Sequence, residues 1–579
     1  PAAAFAAENE AVSAQSGEQE SKISTQAAVH DHCYCGATHV DSNGNTVGSF
    51  TTFTAWTDEL AEQKNGEGKN ASNSLPKDKN WYYLTEDVTI SSDWNPANGT
   101  VLCLNGHKIT NKGYYGAITV GEGVEFTLID CNGSNKTYHF SESYKRWQLN
   151  DSGSHTVTGG IITSTGSGSG VLVQSGGVFN MYGGTIVGNN GTSYNNGSSG
   201  NRGGGVYVKD ANSRFNMYGG AITGNTASGG TADQGGGGVF VSAGTFTMYG
   251  GEIANNAATG YNATCGGGVN VAANGTFTMS GGTIGGEEKG NYANNGGAVY
   301  VKNAAFNMSG DAAIIGNSAG NVGGVNVSNN GTFTMSGSAK IVNNAASSSQ
   351  NYASGGVSVG NDSKFYVSGN VQITGNTKGS KVSVKNNVYL DGNYQGMSTI
   401  IIDEGGLNDS AQIGVTAREP AAGLAVATGA TENKDYTEII TSDDDTYEVA
   451  HDSTDATKLV LKVAPEKPHE HYLCGGDECT KVGGHDCGSN KTTFTKWTDE
   501  LAQQQNGNSA TAATSLPKEK GNYYLTANVE LDSYWKPADG TVLCLNGYSI
   551  TVNADTETDI VPAVGAITVS EGRTFTLVD

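Results

Sequence analysis

The sequence predicts an all-β fold: a parallel β-helix solenoid with a short N-terminal capping helix, followed by the start of a second similar module. Three observations predict it. Between residues 170 and 390 one pattern recurs seven times: apolar-x-apolar, a few turn residues, Phe-x-Met or its equivalent, a small residue or Tyr, Gly, and an Ile-centred segment ending near Asn. Its Phe residues are Phe179, Phe215, Phe246, Phe277, Phe306, Phe333 and Phe365, spaced 36, 31, 31, 29, 27 and 32 apart. Self-similarity at such a period marks a solenoid or array. Alternation inside each copy is two, as in Val206-Tyr207-Val208, Phe215-Asn216-Met217 and Ala221-Ile222-Thr223, so each copy offers three short strands. Glycine, at 85 residues, is too frequent to sustain helices through this region.

A single copy cannot bury its apolar residues, but stacked copies form one core. The expected inward residues are the Phe and Met of the second strand, the Val of the first, and Ile186, Ile222, Ile253, Ile284, Ile315, Ile341 and Ile373 of the third. The stretch after the Asn varies, from 190–203 to 318–322, so insertions collect on one edge, where binding loops usually sit. Asn189, Asn225, Asn256, Asn317, Asn344 and Asn376 recur at one position, and Glu287 breaks the series in the fourth copy. Asn tolerates left-handed backbone and stacked amides can bond along an axis, so a structural ladder is expected here.

A solenoid grows in one dimension, so 579 residues need not exceed one repeating core. A net charge of −24 disfavours nucleic acid and anionic membranes as partners. No apolar run of 18 or more residues is present to span a membrane. Residues 1–29 read as a signal-peptide remnant followed by a disordered leader, with Ala4-Phe5-Ala6 in the small-x-small form of a cleavage site. The expected setting is therefore export.

Residues 30–52 form a Cys/His-rich segment with His30, His32, Cys33, Cys35 and His39; a second, 468–493, carries His469, His471, Cys474, Cys479, His485 and Cys487. Thiolates and imidazoles can hold a structural Zn²⁺ tetrahedrally, and in an exported protein the same thiols can form disulfides. The spacing matches no standard finger and leaves both readings open. No other cofactor is required.

The solenoid with its N-terminal cap is expected over 53–397. Residues 53–63 suit a short amphipathic helix with Thr54 as N-cap, Asp58 and Glu59 in the first turns, and Trp56 and Leu60 on one face. Trp56 is expected to cover the open end of the coil. Cys103 and Cys131 lie 28 residues apart, about one coil, and are expected to stack, either as a disulfide or as core thiols. Residues 132–160 look irregular and hold Tyr138, His139, Tyr144, Lys145, Arg146, Trp147 and His155, a loop packing its own aromatics. Residues 398–467 read as a C-terminal β cap and linker, with Asp443, Asp444 and Asp445 in a solvated turn that lacks the spaced ligand pattern of a calcium loop.

The chain then begins again. Phe494–Leu501 copies Phe53–Leu60 at an offset of 441, with Trp497 in the place of Trp56; Tyr523–Thr526 and Val542–Gly547 repeat Tyr82–Thr85 and Val101–Gly106 at the same offset. Residues 494–579 thus read as the start of a second β-helix module, part of a longer array.

Together TVLCLNG, GAITV and FTLIDC, followed by repeated GGVxV and FTMxGGxIxxN, resemble large repetitive surface proteins of Gram-positive, mostly gut-dwelling, bacteria. The resemblance covers roughly 50–400 and 490–579. It implies a right-handed coil of the pectate-lyase kind and display at the cell wall. It does not specify a ligand.

The residues argue against catalysis. Sugar hydrolysis needs two placed carboxylates. Between 160 and 390 the acids are Asp210, Asp233, Glu252, Glu287, Glu288, Asp311 and Asp362, at different repeat positions, and no His lies between 155 and 451. Instead, Tyr182, Tyr218 and Tyr249 share one slot in three successive copies, and the slot then becomes Ser280, Ser309 and Ser336. Tyr207, Phe240 and Tyr300 sit between the paired Val residues. Aromatic rows at strand spacing can stack on sugars or on a protein loop, or can simply stabilise the sheet. The expected function is a secreted, adhesin-like module binding host or bacterial surface glycan or glycoprotein. The alternatives are a purely structural stalk and a polysaccharide lyase or glycoside hydrolase.

Overall fold

The computed structural model describes residues 31–33, 50–113, 116–131, 136–143, 146–192, 203–228, 235–259, 265–360, 362–380, 383–393, 396–431, 433–465, 469–472, 491–552 and 566–578. The chain divides into two units, 1–464 and 465–579.

The first unit is a parallel β-helix. Its Phe strands form a 15-stranded sheet that begins at Thr54–Trp56 and ends in a C-terminal hairpin. Within it Phe179 lies opposite Phe215 and Met181 opposite Met217, and the same register continues from coil to coil. Val strands stack on Val strands, as Val206–Val208 on Val239–Val241. Ile strands stack likewise, as Ala221–Thr223 on Glu252–Ala254. These two ladders join at Gln412–Ala417, a single strand that pairs with both Gln372–Thr374 and Val388–Leu390. A fourth ladder, of eight short strands from Asn190–Thr192 onward, follows the recurring Asn; the sequence suggested only three strands per coil.

Inside, each apolar position becomes a column. From Phe126 to Phe365, eight Phe rings stack with centroids 4.7 to 5.7 Å apart and planes within 10°. Strand separation of ~4.8 Å imposes that distance on any side chain that recurs in register. The Ile column runs through Ile284, Ile314 and Ile341. Ile314 is wholly buried and Ile315, the expected residue, only partly so, because Ile314 is the one in register with Ile284 and Ile341, three residues before the Asn, and alternation turns its neighbour away from the core.

A buried amide ladder lines the turn after the Ile strand. Each Asn Nδ2 donates to the next Asn Oδ1, from Asn189 to Asn225 at 2.9 Å, to Asn256 at 3.0 Å and to Asn291 at 3.0 Å. The ladder continues through Asn317, Asn344, Asn376 and Asn387. Each backbone N–H donates to the same oxygen, and the second amide proton goes to an Ile carbonyl one coil back, as Asn256 to Ile222 at 2.8 Å. Asn291, not Glu287, is the rung of the fourth copy. Residues 286–290 bulge outward, with Gly286 N–H held by Ile315 O at 2.8 Å, and so restore the register. The far end is closed by Asp443, which accepts from Asn387 N and Nδ2 at 2.7 and 2.6 Å. Asp443 is therefore a terminal rung and not part of a solvated turn. Burial pushes its carboxyl up, and the hydrogen bonds from Asn387 and Thr416 act against that rise.

Glycines let the Val turn approach this ladder. A Cβ at Gly205 would lie 2.7 Å from Gly238 O and 2.7 Å from Ile222 Cγ2, and 3.1 Å from Asn225 Nδ2. The Gly-Gly pairs 204–205, 237–238, 267–268, 323–324 and 355–356 before the Val strands make room for this approach, and Ala298 takes the second place in one further coil.

At the start, helix α1 (Asp58–Asn65) is capped by Thr57, whose side chain accepts from Leu60 N–H at 3.3 Å. Thr54 is not the cap, because Thr54–Trp56 is already a strand on Tyr82–Leu84. Trp56 is wholly buried and donates Nε1–H to Ser74 O at 2.7 Å. Trp94 completes the cap, edge-on to Phe126 at 5.2 Å. At the other end, Lys458–Val463 runs antiparallel to Ala425–Thr428 and closes the last parallel edge. In the second unit the cap recurs: α2 (Asp499–Asn506), N-cap Thr498, and Trp497 donating to Ser515 O at 2.8 Å.

An interior rung should matter more than the first. Asn256→Ala removes the oxygen that accepts from Asn225 N–H and Nδ2 and leaves that N–H buried without its partner, at a cost of about 1–3 kcal/mol, whereas among the described residues nothing donates to Asn189 Oδ1. Urea titration should show a larger stability loss for Asn256→Ala than for Asn189→Ala. Equal losses would refute the ladder as the source.

Candidate functional site

The tyrosine slot follows the Met of the Phe strand, at the turn into the Ile face. Its rings form a second, outward column: Tyr182 on Tyr218 at 4.3 Å and Tyr218 on Tyr249 at 4.8 Å, both within 8° of parallel. Tyr218 is 39% exposed and Tyr249 49%. Tyr182 is half-buried against the cluster of Phe53, Val101, Cys103 and Ile129. The spacing that aligns the rings also makes them stack on one another. The faces they turn to one another are engaged within the column, and what they show sideways is ring edge and hydroxyl. The polar row beside them is also internally bonded, Asn216 Nδ2 donating to Asn180 Oδ1 and Asn180 Nδ2 to Glu125 Oε1, both at 2.9 Å.

The second aromatic row lies elsewhere than expected. Tyr207, Phe240 and Tyr300 are 6, 1 and 8% exposed. The Gly-rich segment entering each Val strand folds back over its outer side: a Cβ at Gly203 would lie 3.3 Å from Phe240 Cβ. Tyr207 and Phe240 stack at 5.2 Å beneath it, and Asn270, also buried, separates Phe240 from Tyr300. Alternation gives the side of the sheet, but an inserted loop decides whether that side meets solvent. These three residues pack the fold and offer no surface to a ligand.

Below the tyrosines, an open groove of about 720 Å³ lies along the Ile face, lined by Gly251, Glu252, Thr283 and the bulge Gly285–Lys289. Lys289 Nζ pairs with Glu252 Oε1 at 3.2 Å. The groove owes its existence to the 286–290 bulge.

A polar cluster that the sequence did not single out sits at the first coils. Asp87 Oδ1 accepts from Lys136 Nζ at 2.7 Å and from Lys108 N–H at 3.0 Å, and His107 Nδ1 lies 3.4 Å away. Tyr138 O–H donates to Gly106 O at 3.2 Å and reaches Asp87 at 3.4 Å. Burial pushes Asp87 up, but the bonds from His107, Lys136 and Lys108 outweigh it and hold the carboxyl well below the usual carboxylate range. Asp130 nearby is pushed up by burial while accepting from the Gly106 and Gly160 N–H groups. These residues fasten a three-stranded antiparallel sheet, Thr137–Ser143, Arg146–Leu149 and His155–Thr158, onto the coil. The segment is thus regular, not the expected irregular loop. It does pack its own aromatics, with Phe140 5.4 Å from Trp147 and 5.2 Å from His155. The second unit carries Asn528 and Tyr548 where the first has Asp87 and His107; Asn528 still caps Ser549 N–H at 3.0 Å. The cap on the next coil's N–H is common to both units, and in the first Asp87 also holds Lys136 beside the inserted sheet.

Cys103 and Cys131 do stack, with Sγ atoms 3.2 Å apart as two thiols; burial, then the neighbouring thiol, pushes Cys103 far up. Of the expected metal ligands, His30, Cys35, His39, Cys474, Cys479, His485 and Cys487 lie outside the described residues. His32 and Cys33 fall in Asp31–Cys33, and His469 and His471 in His469–Tyr472, where backbone alone is described. Among the described residues no three His, Cys, Asp or Glu side chains converge as metal ligands, and no helix is long and apolar enough to cross a membrane.

No family model, no curated protein and no solved structure matches the chain.

The Asp87 contacts set a pH dependence. A depressed folded pKa means that its stabilisation is complete above the unfolded value of about 4 and lost as pH falls below it. Hydrogen exchange across 137–158, corrected for intrinsic rates, should accelerate on acidification. In Asp87→Asn it should already be fast at neutral pH, with 221–223 protected in both. Unchanged protection in the variant would mean that packing alone holds the sheet.

Proposed function

We propose that this chain is a secreted, cell-surface, adhesin-like module that binds host or bacterial surface glycan or glycoprotein. The observation that carries the reading is the exposed tyrosine column on a rigid scaffold, beside an open groove lined by carboxylates and a lysine. Tyr edges and hydroxyls with carboxylate acceptors are the chemistry that recognises sugar hydroxyls. Rigidity adds to this, because groups fixed in columns lose little freedom on binding. The surface setting and a right-handed, pectate-lyase-like coil rest on the TVLCLNG, GAITV and FTLIDC motifs.

A purely structural stalk is the second reading, favoured by columns of Phe and Asn that need no ligand to be complete. A lyase or hydrolase has weaker support. His107 is engaged with Asp87 and Lys136 at the inserted sheet, and in the groove Glu252 is paired with Lys289 rather than with a histidine.

The full chain, applied to an array of host and bacterial glycans and secreted glycoproteins, should be retained without releasing products. Tyr182→Ser with Tyr218→Ser and Tyr249→Ser should lose retention while keeping its β-sheet circular dichroism. Wild-type retention of nothing would leave the stalk, and release of reducing ends or unsaturated sugars would establish an enzyme.

A further inference from the structure

The tyrosine column is closed at one end and open at the other. Tyr182 rests against Ile129, Val101 and Cys103. Past Tyr249 the slot is Ser280, one coil further along the same strand order, with Ser280 N–H bonded to Met248 O at 2.9 Å. The step from Tyr to Ser removes a ring from a column whose period is 4.8 Å. Among the described residues no ring stacks on the Tyr249 face that looks toward Ser280, and Tyr249 is the more exposed of the two outer rings.

Polar groups surround this ledge. Gly281 follows Ser280; a Cβ there would lie 2.5 Å from Tyr249 O and 3.4 Å from Asp311 Oδ1, so the Asp311 carboxylate leans back beneath the ledge from the next coil. Gly251, two residues after Tyr249, is itself a wall of the groove that holds Glu252, Glu287, Glu288 and Lys289. Ring face, carboxylate and groove are thus contiguous. The groove lining holds three carboxylates and one ammonium, and that ammonium is already paired with Glu252.

We infer that the open face of Tyr249, with Asp311 and the adjoining groove, forms a subsite for one neutral hexopyranose. The sugar ring takes the place of the missing fourth aromatic ring. Its C–H face lies on the negative face of Tyr249, and its hydroxyls donate to Asp311 and to the carboxylates of the groove. The excess of negative charge repels sialylated, sulfated and uronic residues. This inference rests on the glycan-binding reading and narrows it to one position and one charge class.

The test is to cover the ledge without removing a ring. Ser280→Ile places on the open face of Tyr249 the side chain that Ile129 places in the same slot at the other end, and it supplies no new ring face; an unchanged melting temperature would verify that the fold tolerates it. The full-length wild type and Ser280→Ile would be compared on glucose-, galactose- and N-acetylglucosamine-terminated oligosaccharides and on sialylated and sulfated counterparts, followed by calorimetric titration with the best-retained neutral oligosaccharide. The expected result is wild-type binding confined to neutral glycans and an affinity at least about tenfold weaker in Ser280→Ile, equivalent to about 1.4 kcal/mol. Wild-type binding with unchanged affinity in Ser280→Ile, or preference for anionic glycans, overturns the subsite and leaves glycan binding standing. Wild-type retention of no glycan overturns both.

Discussion

The first unit depends on the amide ladder that runs from Asn189 to Asp443. An Asn side chain has two donors and one acceptor oxygen with two lone pairs. Here both kinds of group are used: the Nδ2 protons reach one coil forward and one coil back, and the oxygen takes a side-chain and a backbone donor from the preceding rung. No other residue offers that set in so small a volume. The ladder therefore fixes coil-to-coil register at the turn where insertion lengths vary most. Once register is fixed there, the Phe, Met, Val and Ile columns follow, because each is a side chain repeated at strand spacing.

The same constraint governs the surface. A residue recurring in register meets its own copies, so the exposed tyrosines stack as closely as the buried phenylalanines do. A perfectly regular column is satisfied within itself. What remains available to a partner are the irregularities: the step from Tyr249 to Ser280, and the 286–290 bulge that opens the groove. The bulge also shows how the solenoid absorbs extra residues. It sends them outward and brings Asn291 into the rung, since a missing rung would leave buried donors without acceptors.

The two units act as an internal comparison. Each has a Trp-anchored helix cap, with the same hydrogen bonds at the same offset, as in Trp56 to Ser74 and Trp497 to Ser515. They differ at Asp87 and Asn528. A neutral amide suffices to cap the next coil's N–H, and in the first unit the carboxylate also reaches Lys136 and His107.

Much of this was legible in the chain. Period and alternation specified a parallel β-helix, the inward Phe column, the Asn ladder, the tyrosine row and the duplicated cap, because each is a repeated local pattern, and repetition in register is all that a solenoid needs. The sequence did not reveal what depends on which backbone lies over which. Tyr207, Phe240 and Tyr300 alternate as outward residues, yet a glycine-rich segment covers them. Asn291 and Asp443 fill ladder positions from irregular spacings, and Asp87, His107, Lys136 and Tyr138 meet across 51 residues of chain. Such contacts come from folding insertions back on the coil, for which no local period exists, so tertiary structure alone decided them.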